Sequence, residues 1–505
     1  MLRAIDNQLN KITMYRLVLY YLIALLGAAV VFSASGLMEY DVFALLVSIG
    51  FLLAVSWITN RLFAWTFGVP ANVESVYIST LILALIITPV QSASDFWFLF
   101  WPAVLAMASK YIVAVKGRHL FNPVAFAVAL TYFTTNQSAS WWVGNRVLLP
   151  LVLIGGLLVI RKVGRFDMVV SFLVTALSLT ALASIFTGNL IATFQNVILS
   201  SPFVFFASII LTEPLTTPPT RKLRIIYGAI VGFLFTPQLH FGSFYMTPEL
   251  AILIGNIYSY YASPQPRLTL KLKEKTRLAP DSYEFVFAPP QKLKFAPGQY
   301  MEWTLGHQDP DARGNRRYFT MASSTTEQNL RLGVKFSKTS SSYKKAMLTL
   351  DRNAEITATQ ITGDFTLPDD RNQKCVFIAG GIGITPFRSM IKYLLDTHQR
   401  RPITIIYAAK TVDDIVYKDI FDRAEKELGI KMIYTLTDPT NIPVSWKGNV
   451  GHLTPETIGK QVAGSQSALF YLSGSRAMVD TFKDSLHKTG IPASQIITDY
   501  FAGLV

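Results

Sequence analysis

Two short stretches of this chain combine side chains that handle phosphates, rings and protons. The first, Arg317-Tyr318-Phe319-Thr320, offers a guanidinium fork that matches phosphate oxygens, an aromatic face that stacks on a planar ring, and a hydroxyl that can bond a ring nitrogen of changing protonation. The second, Gly380-Gly381-Ile382-Gly383-Ile384-Thr385-Pro386, follows the apolar run Cys375-Val376-Phe377-Ile378-Ala379 and opens a helical pattern. Glycines between a strand and a helix let a pyrophosphate approach backbone donors at the helix N-terminus. Alone, such a turn is a modest signal. At this distance after the first stretch, it predicts a nucleotide held against a stacked redox ring.

A third group has a different setting. Thr212-Glu213-Pro214-Leu215-Thr216 follows the apolar run from Phe203 to Ile210, and Ile86-Ile87-Thr88-Pro89 ends another such run. Proline breaks the helical ladder, and irregular backbone at membrane depth survives only where protein covers it or it lines a cavity. A carboxylate there is costly unless paired or wet, which marks Glu213 as a candidate site residue. The plainer alternative is that these prolines end helices at the interface.

Composition separates the chain into two regimes. Of its 505 residues only 15% are charged, and mean hydropathy is +0.35, yet charges and polar turns crowd the C-terminal half. The formal net charge of +14 comes without basic clusters interleaved with exposed aromatics, so nucleic acid is not the expected partner. Cys375 is the single cysteine, which excludes intrachain disulfides and any iron–sulfur cluster ligated by this chain alone.

Between residues 14 and 262 about ten apolar segments alternate with short polar loops, each segment near the length of a membrane span or shortened by a break. Their centres lie near Leu25, Leu53, Leu83, Val104, Ala127, Leu153, Val174, Phe206, Val231 and Leu253. Basic residues recur in every second loop, at Arg61, at Lys116 and Arg118, at Arg161, Lys162 and Arg165, and at Arg221, Lys222 and Arg224. The expectation is therefore a multi-pass cell-membrane domain, with the N-terminus and the C-terminal half both on the cytoplasmic face. The third and eighth segments, both broken, occupy corresponding places in two sets of five. This pattern points to an inverted repeat with a site between the halves.

Gly117-Arg118-His119-Leu120-Phe121-Asn122-Pro123, Leu211-Thr212-Glu213-Pro214-Leu215-Thr216-Thr217-Pro218-Pro219-Thr220 and Ile226-Tyr227-Gly228-Ala229-Ile230-Val231-Gly232 resemble the NqrB/RnfD family of membrane proteins, which serves the Na⁺-translocating NADH:quinone oxidoreductase and the Rnf complex. The resemblance implies ten helices in an inverted repeat and electron transfer within the membrane. It makes Thr88, Arg118, Asn122, Thr212, Glu213 and Thr216 candidates for a membrane electron-carrier or ion site. Members attach FMN to the threonine of a Ser-Gly-Ala-Thr-type motif, which this chain lacks, so the expected membrane carrier is non-covalent FMN or riboflavin, or a quinone. Glu213-Pro214 stands where members carry Asp-Pro, retaining the charge.

Past Ser263-Pro264-Gln265-Pro266, a short stiff linker, the character changes to alternating strands such as Arg267–Leu272 and Tyr283–Phe287, and a small antiparallel barrel is expected up to residue 369. Buried runs at Cys375–Ala379, Ile403–Tyr407, Lys431–Tyr434 and Ala468–Leu472 then alternate with helices, the pattern of a parallel α/β sheet over residues 370–505. These halves resemble the ferredoxin–NADP reductase family over residues 267–505, which makes the chain a fusion of two family types. The resemblance implies FAD, with Arg317 on its pyrophosphate, Phe319 against the isoalloxazine and Thr320 near N5. Tyr318, Lys335, Ser341, Ser342 and Lys344 complete the expected FAD contacts, although a Ser-rich turn at 340–342 also serves a purely structural reading. It further implies NADH or NADPH as substrate at Gly380, Gly381, Gly383, Thr385, Pro386 and Gly474. Ser473 stands where members have a cysteine beside the hydride path. Phe501 matches the aromatic residue over the flavin, or else belongs to the core.

A nicotinamide delivers two electrons as hydride and a flavin can release them singly. The expected enzyme is a membrane-bound, FAD-dependent NAD(P)H oxidoreductase passing electrons to a flavin or quinone in the membrane half, with further electron-transfer subunits as conceivable partners. No metal centre is expected. Only His119 and His240 lie in the membrane half, too few for a stacked haem pair, and both read as interfacial polar residues. The alternative is a redox-driven Na⁺ or H⁺ pump. Lys410 favours a 2′-phosphate and nearby Asp413 and Asp414 oppose it, which tilts the expectation slightly to NADH.

Overall fold

The computed structural model describes residues 2–9, 12–68, 73–115, 118–236, 239–242, 244–263, 267–308, 310–311, 314–337, 340–440, 442–453 and 467–499. The chain divides into two compact units, the first ending at Pro266 and the second running from Arg267 to Phe501.

The first unit is helical: α1 Leu2–Leu9, α2 Met14–Ala34, α3 Val42–Thr66, α4 Val73–Ile86, α5 Asp95–Ile112, α6 Pro123–Thr135, α7 Leu149–Val163, α8 Phe166–Thr187, α9 Leu190–Leu199, α10 Phe203–Phe205, α11 Arg221–Leu234 and α12 Pro248–Ala262. Every apolar centre read from the sequence falls in one of these helices or in the π-helical turn Phe206–Ile210 that continues α10. Among the described residues three helices, Met14–Ala34, Val42–Thr66 and Phe166–Ile185, are long and apolar enough to cross a membrane, and a fourth span results if the bent pair Leu190–Leu199 and Phe203–Ile210 counts as one. The others are shorter, as their breaks require. The outward faces carry large apolar side chains such as Phe43, Trp65 and Ile191, which suit lipid.

Local chemistry explains where these helices begin. Thr13 and Asp41 accept the backbone N–H groups of Arg16 and Ala44 at the starts of α2 and α3, and Asn122 accepts those of Val124 and Ala125 ahead of Pro123. Within each set the packing follows one order. α2 packs on α4, α3 on α5 and α5 on α6; likewise α7 packs on α10 and its π-turn, α8 on α11, and α11 on α12. The two sets meet through α2 with α7 and α6 with α12. Gly228 and Gly232 let α11 lie directly on α8: a Cβ at Gly228 would come 2.3 Å from the Met168 carbonyl oxygen, and one at Gly232 2.7 Å from that of Phe172.

The second unit opens with six antiparallel strands, β1 Leu268–Ala279, β2 Ser282–Ala288, β3 Tyr300–Thr304, β4 Arg316–Thr320, β5 Leu330–Lys335 and β6 Glu355–Thr362, in the order β4-β3-β6-β1-β2-β5. Alternation along β6, with Ile356 and Ala358 inward, buries one face around Trp303, Phe285 and Phe287. The short helix α13, Ser342–Leu348, supplies Tyr343 and Met347 to that core. A six-stranded parallel sheet follows: β7 Cys375–Gly380, β8 Ile403–Ala409, β9 Lys431–Leu436, β10 Asn449–Val450, β11 Leu469–Ser473 and β12 Ile496–Thr498, ordered β10-β9-β8-β7-β11-β12. Each buried run expected to be a parallel strand is one. The helices α14 Thr385–Asp396, α15 Lys418–Leu428 and α16 Arg476–Lys488 connect them. The chain reverses direction across the sheet between β7 and β11, and crevices at such switch points receive ligands in open α/β folds.

Candidate functional site

At that switch point two turns lie back to back. The first runs from Gly380 through a 3₁₀ turn, Gly381–Ile384, into α14; the second is Ser473-Gly474 after β11. A Cβ on Gly383 would sit 2.6 Å from Gly474 Cα, and one on Gly380 would sit 2.3 Å from Met478 Sδ. At Gly383 the neighbour is backbone, so only glycine permits the approach there, whereas the Met478 side chain beside Gly380 can shift. Thr385 bonds back to the Ile382 carbonyl at 3.1 Å, and Pro386 occupies the first turn of α14, where its missing N–H costs nothing.

Thr320, at the end of β4, and Ser473, at the end of β11, converge on a third residue. Thr320 Oγ1 donates to Asp499 Oδ2 at 3.4 Å and Ser473 Oγ donates to the same oxygen at 3.2 Å. Asp499 Oδ1 is buried without a partner among the described residues. Burial pushes the Asp499 carboxyl up to about 7, and the hydrogen bonds from Ser473 and Thr320 oppose that rise. A carboxyl that exchanges its proton near neutrality thus stands between the hydroxyls singled out from the sequence. Asp499 did not stand out in the sequence; nothing local marks its contacts with Thr320 and Ser473. Phe501 lies outside the described residues.

Arg317 is 3% exposed. Its guanidinium bonds the Gly314 and Arg316 carbonyls, pairs with Asp311 at 3.3 Å, and lies over the Tyr343 ring at 5.1 Å. Asp311 in turn accepts the Ser342 backbone N–H at 3.1 Å, while the Ser342 hydroxyl accepts the Asp311 N–H at 2.9 Å. The structure therefore joins Arg317 to Ser342. Ser341 caps α13 by accepting the Lys344 N–H. Phe319 packs by Tyr343, centroids 6.0 Å apart, and Tyr318 donates to Glu302 at 2.8 Å. The two lysines are engaged otherwise: Lys335 pairs with Asp281 at 3.2 Å and Lys344 Nζ donates to the Lys335 carbonyl.

The helix carrying the glycine turn is bolted to the segment just past Thr320. Arg388 donates to the Ala322 carbonyl at 2.9 Å and forms a two-point ion pair with Glu327, whose second contact is 3.0 Å. Ser389 donates to the Ser323 carbonyl at 2.6 Å. The neighbouring Arg388 guanidinium holds Glu327 below the usual carboxylate range against the opposing effect of burial. Neither Arg388 nor Glu327 stood out in the sequence, because a basic residue on a helix usually faces water. Cys375 is remote from chemistry, its thiol pushed up to about 12 by burial.

In the helical unit, Asn122 and Thr216 donate to Glu213 Oε2 at 2.7 and 3.2 Å. Asn256, on α12, accepts the Asn122 backbone N–H at 2.8 Å and donates to Tyr227 and to the Thr216 carbonyl. Lys110, on α5, donates to Ser75 on α4 and acts electrostatically on Glu213. Three of the expected membrane residues, Asn122, Glu213 and Thr216, thus come together with Asn256, Tyr227 and Lys110, which were missed. Thr212 bonds back to the Ser208 carbonyl at 2.6 Å. Thr88 shares no hydrogen bond with the cluster among the described residues, and the Arg118 side chain lies outside them.

Comparison with known proteins matches two parts of the chain to two different families. Residues 140–261 match the NQR2, RnfD, RnfE family, and residues 377–484 match the oxidoreductase NAD-binding domain family. Flavohemoprotein of Oceanobacillus iheyensis is 25% identical over 245 residues, 46% of this chain and 59% of that protein. NADH-cytochrome b5 reductase 1 of Ajellomyces capsulatus is 31% identical over 134 residues, 25% of this chain and 42% of that protein. The chain thus spans about three fifths or less of the length of these relatives. Among solved structures, the flavohem-like FAD/NAD binding domain of nitric oxide dioxygenase from Vibrio cholerae O1 biovar El Tor is similar with a TM-score of 0.40 and 17% identity, covering 46% of this chain and 98% of that one. The chain thus carries a region that matches the NQR2, RnfD, RnfE family followed by one that matches the oxidoreductase NAD-binding domain family.

Proposed function

We propose that the protein is a membrane-bound, FAD-dependent NAD(P)H oxidoreductase that passes electrons from a cytoplasmic nicotinamide to a flavin or quinone held in its helical half. The carrying observation is the convergence of Thr320, Ser473 and Asp499 beside the glycine turn. The orphaned Asp499 oxygen and the aromatic and guanidinium groups along Arg317–Thr320 fit a flavin. FAD would supply the conversion of hydride to single electrons. The chain's part is placement: Arg317 and Ser342 for the pyrophosphate, Phe319 for the ring, Gly380, Gly381 and Gly383 for the nucleotide. Asp499 holds or gives up a proton next to the hydroxyls of Thr320 and Ser473. Residues 263–369 form the flavin domain, a small barrel in this reading, and 370–505 the nicotinamide domain.

The repeated packing order of α2–α6 and α7–α12 supports an inverted repeat of ten spans. The membrane carrier then sits near Asn122, Glu213 and Thr216, as non-covalent flavin or quinone. The net basic bias of alternate loops supports a cytoplasmic reductase half. Extraction of bound flavin and quinone from purified protein, with the ratio per chain, tests this reading together with NADH-dependent quinone reduction. Two organic carriers per chain are expected; purified, flavin-replete protein that reduces no quinone overturns it.

A second reading, a redox-driven Na⁺ or H⁺ pump, draws on the enclosed Glu213 and its coupling to Lys110. Sodium-dependent turnover with charge movement in sealed vesicles is its signature; turnover indifferent to sodium and without a membrane potential leaves the plain reductase.

A further inference from the structure

The pair given to the flavin pyrophosphate, Arg317 and Ser342, has a third neighbour that nothing in the sequence marked. His307 lies partly buried in the segment after β3, its ring edge-on to Tyr343 with centroids 6.1 Å apart. Arg317 lies over the same Tyr343 ring. Both ring nitrogens of His307 are engaged: Nδ1 is 3.0 Å from the Leu305 carbonyl oxygen and Nε2 is 3.0 Å from the Ser342 hydroxyl. A carbonyl only accepts, so Nδ1 carries a hydrogen whether the ring is neutral or charged. In the neutral ring Nε2 is left with a lone pair, and the Ser342 hydroxyl donates to it.

That direction matters because the hydroxyl has a second fixed partner. Ser342 Oγ accepts the Asp311 backbone N–H at 2.9 Å, while Asp311 Oδ2 accepts the Ser342 N–H at 3.1 Å. A hydroxyl has one hydrogen and two lone pairs. With its hydrogen on His307, Ser342 can offer a newcomer only a lone pair, and a phosphate oxygen is itself an acceptor. An imidazolium reverses the bond. Nε2–H then donates to the second lone pair of Ser342 Oγ, and the hydroxyl hydrogen is released to a third partner.

Charge favours the same outcome. Arg317 on β4 and Asp311 on the segment of His307 itself pair at 3.3 Å and offset each other. Glu302 on β3 is held by Tyr318 and Arg316. From α13 the histidine meets Ser342 and Tyr343, while the Lys344 ammonium is turned to the Lys335 carbonyl. A diphosphate bridge is dianionic, and its arrival beside a balanced pair stabilises a further cation. We propose that His307 is a further residue of the flavin-pyrophosphate site: as FAD binds, one proton from solvent forms the Nε2–H bond, and the Ser342 hydroxyl turns from the imidazole to the phosphate. The inference rests on the reading of this half as an FAD site.

Calorimetry tests this on the full chain in detergent, stripped of flavin and titrated with FAD in buffers of different ionisation enthalpy, so that protons taken up are counted. The wild type is expected to take up as much as about one proton per FAD, and its affinity to fall by up to about tenfold per pH unit on the alkaline side. His307→Phe keeps a ring against Tyr343 and is expected to lose both the uptake and the slope. Ser342→Ala is expected to bind FAD at every pH with the weaker, alkaline-side affinity of the wild type. Equal uptake in the wild type and His307→Phe overturns the proposal, and full uptake retained in Ser342→Ala overturns the part given to the hydroxyl. FAD bound by the wild type without dependence on pH sinks this inference alone. A stripped wild type that binds no FAD at any pH sinks the flavin reading, and this inference with it.

Discussion

Thr320 and Asp499, 179 residues apart in sequence, meet through a 3.4 Å hydrogen bond that joins the end of an antiparallel strand to the end of a parallel sheet. That contact sets a carboxyl raised by burial beside the hydroxyl that the family resemblance places near the flavin N5.

Asp499→Asn keeps the shape and removes the proton. Its expected effect is a fall of about 10²-fold or more in NAD(P)H oxidation, with loss of the limb of the pH–rate profile near pH 7. Stability carries the opposite sign from an ordinary salt-bridged aspartate. Because burial raises the folded value to about 7 above an unfolded value of about 4, the folded state holds the extra proton in that window. Stability contributed by the neutral carboxyl is full below pH 4 and lost as pH rises to 7. Thermal melts of the cofactor-free protein across that range should flatten in Asp499→Asn.

Gly383→Ala places a Cβ 2.6 Å from Gly474 Cα, with backbone on both sides. The turns must part, so KM for the nicotinamide should rise by about tenfold or more while flavin content is retained. An unchanged KM would mean that the nucleotide does not use this crevice.

Glu327→Gln strands Arg388, which is nearly buried. Breaking a buried pair from one side costs about 3–5 kcal/mol. Calorimetry should show that loss, and the double variant Glu327→Leu with Arg388→Met should recover part of it. Electron transfer from nicotinamide should slow in the single variant, since α14 loses its hold on the segment after Thr320.

Gly228→Leu forces a side chain into the Met168 backbone, already 2.3 Å from the would-be Cβ. The helical half should lose its packed form, seen as aggregation in detergent, whereas the reductase half should still oxidise NADH with ferricyanide. Equal loss of both activities would argue against independent folding of the two units.

The reductase half was read well from sequence because its signals are local. Alternation in β6, the buried run of β7 and the glycine turn each specify an element within ten residues or so, and those elements form where expected. The membrane half was less legible in detail. Apolar runs located the helices, but a run such as Val73–Ile86 is too short to declare a span by itself, and hydropathy is blind to which buried amide faces which carboxylate. Asn256 looked like any polar residue within an apolar helix.

Sequence by itself determined the residue types able to bind phosphate and ring, the absence of thiolate ligands beyond Cys375, and the change from helical to strand periodicity near residue 266. These depend on composition and spacing over a few residues. Only the tertiary structure decided that Asp499 closes the Thr320–Ser473 pair, that Arg388 fastens α14 to the segment after Thr320, and that Asn122, Thr216 and Glu213 meet. Burial and hydrogen bonding between distant segments change what a carboxyl does, and no local pattern carries that information.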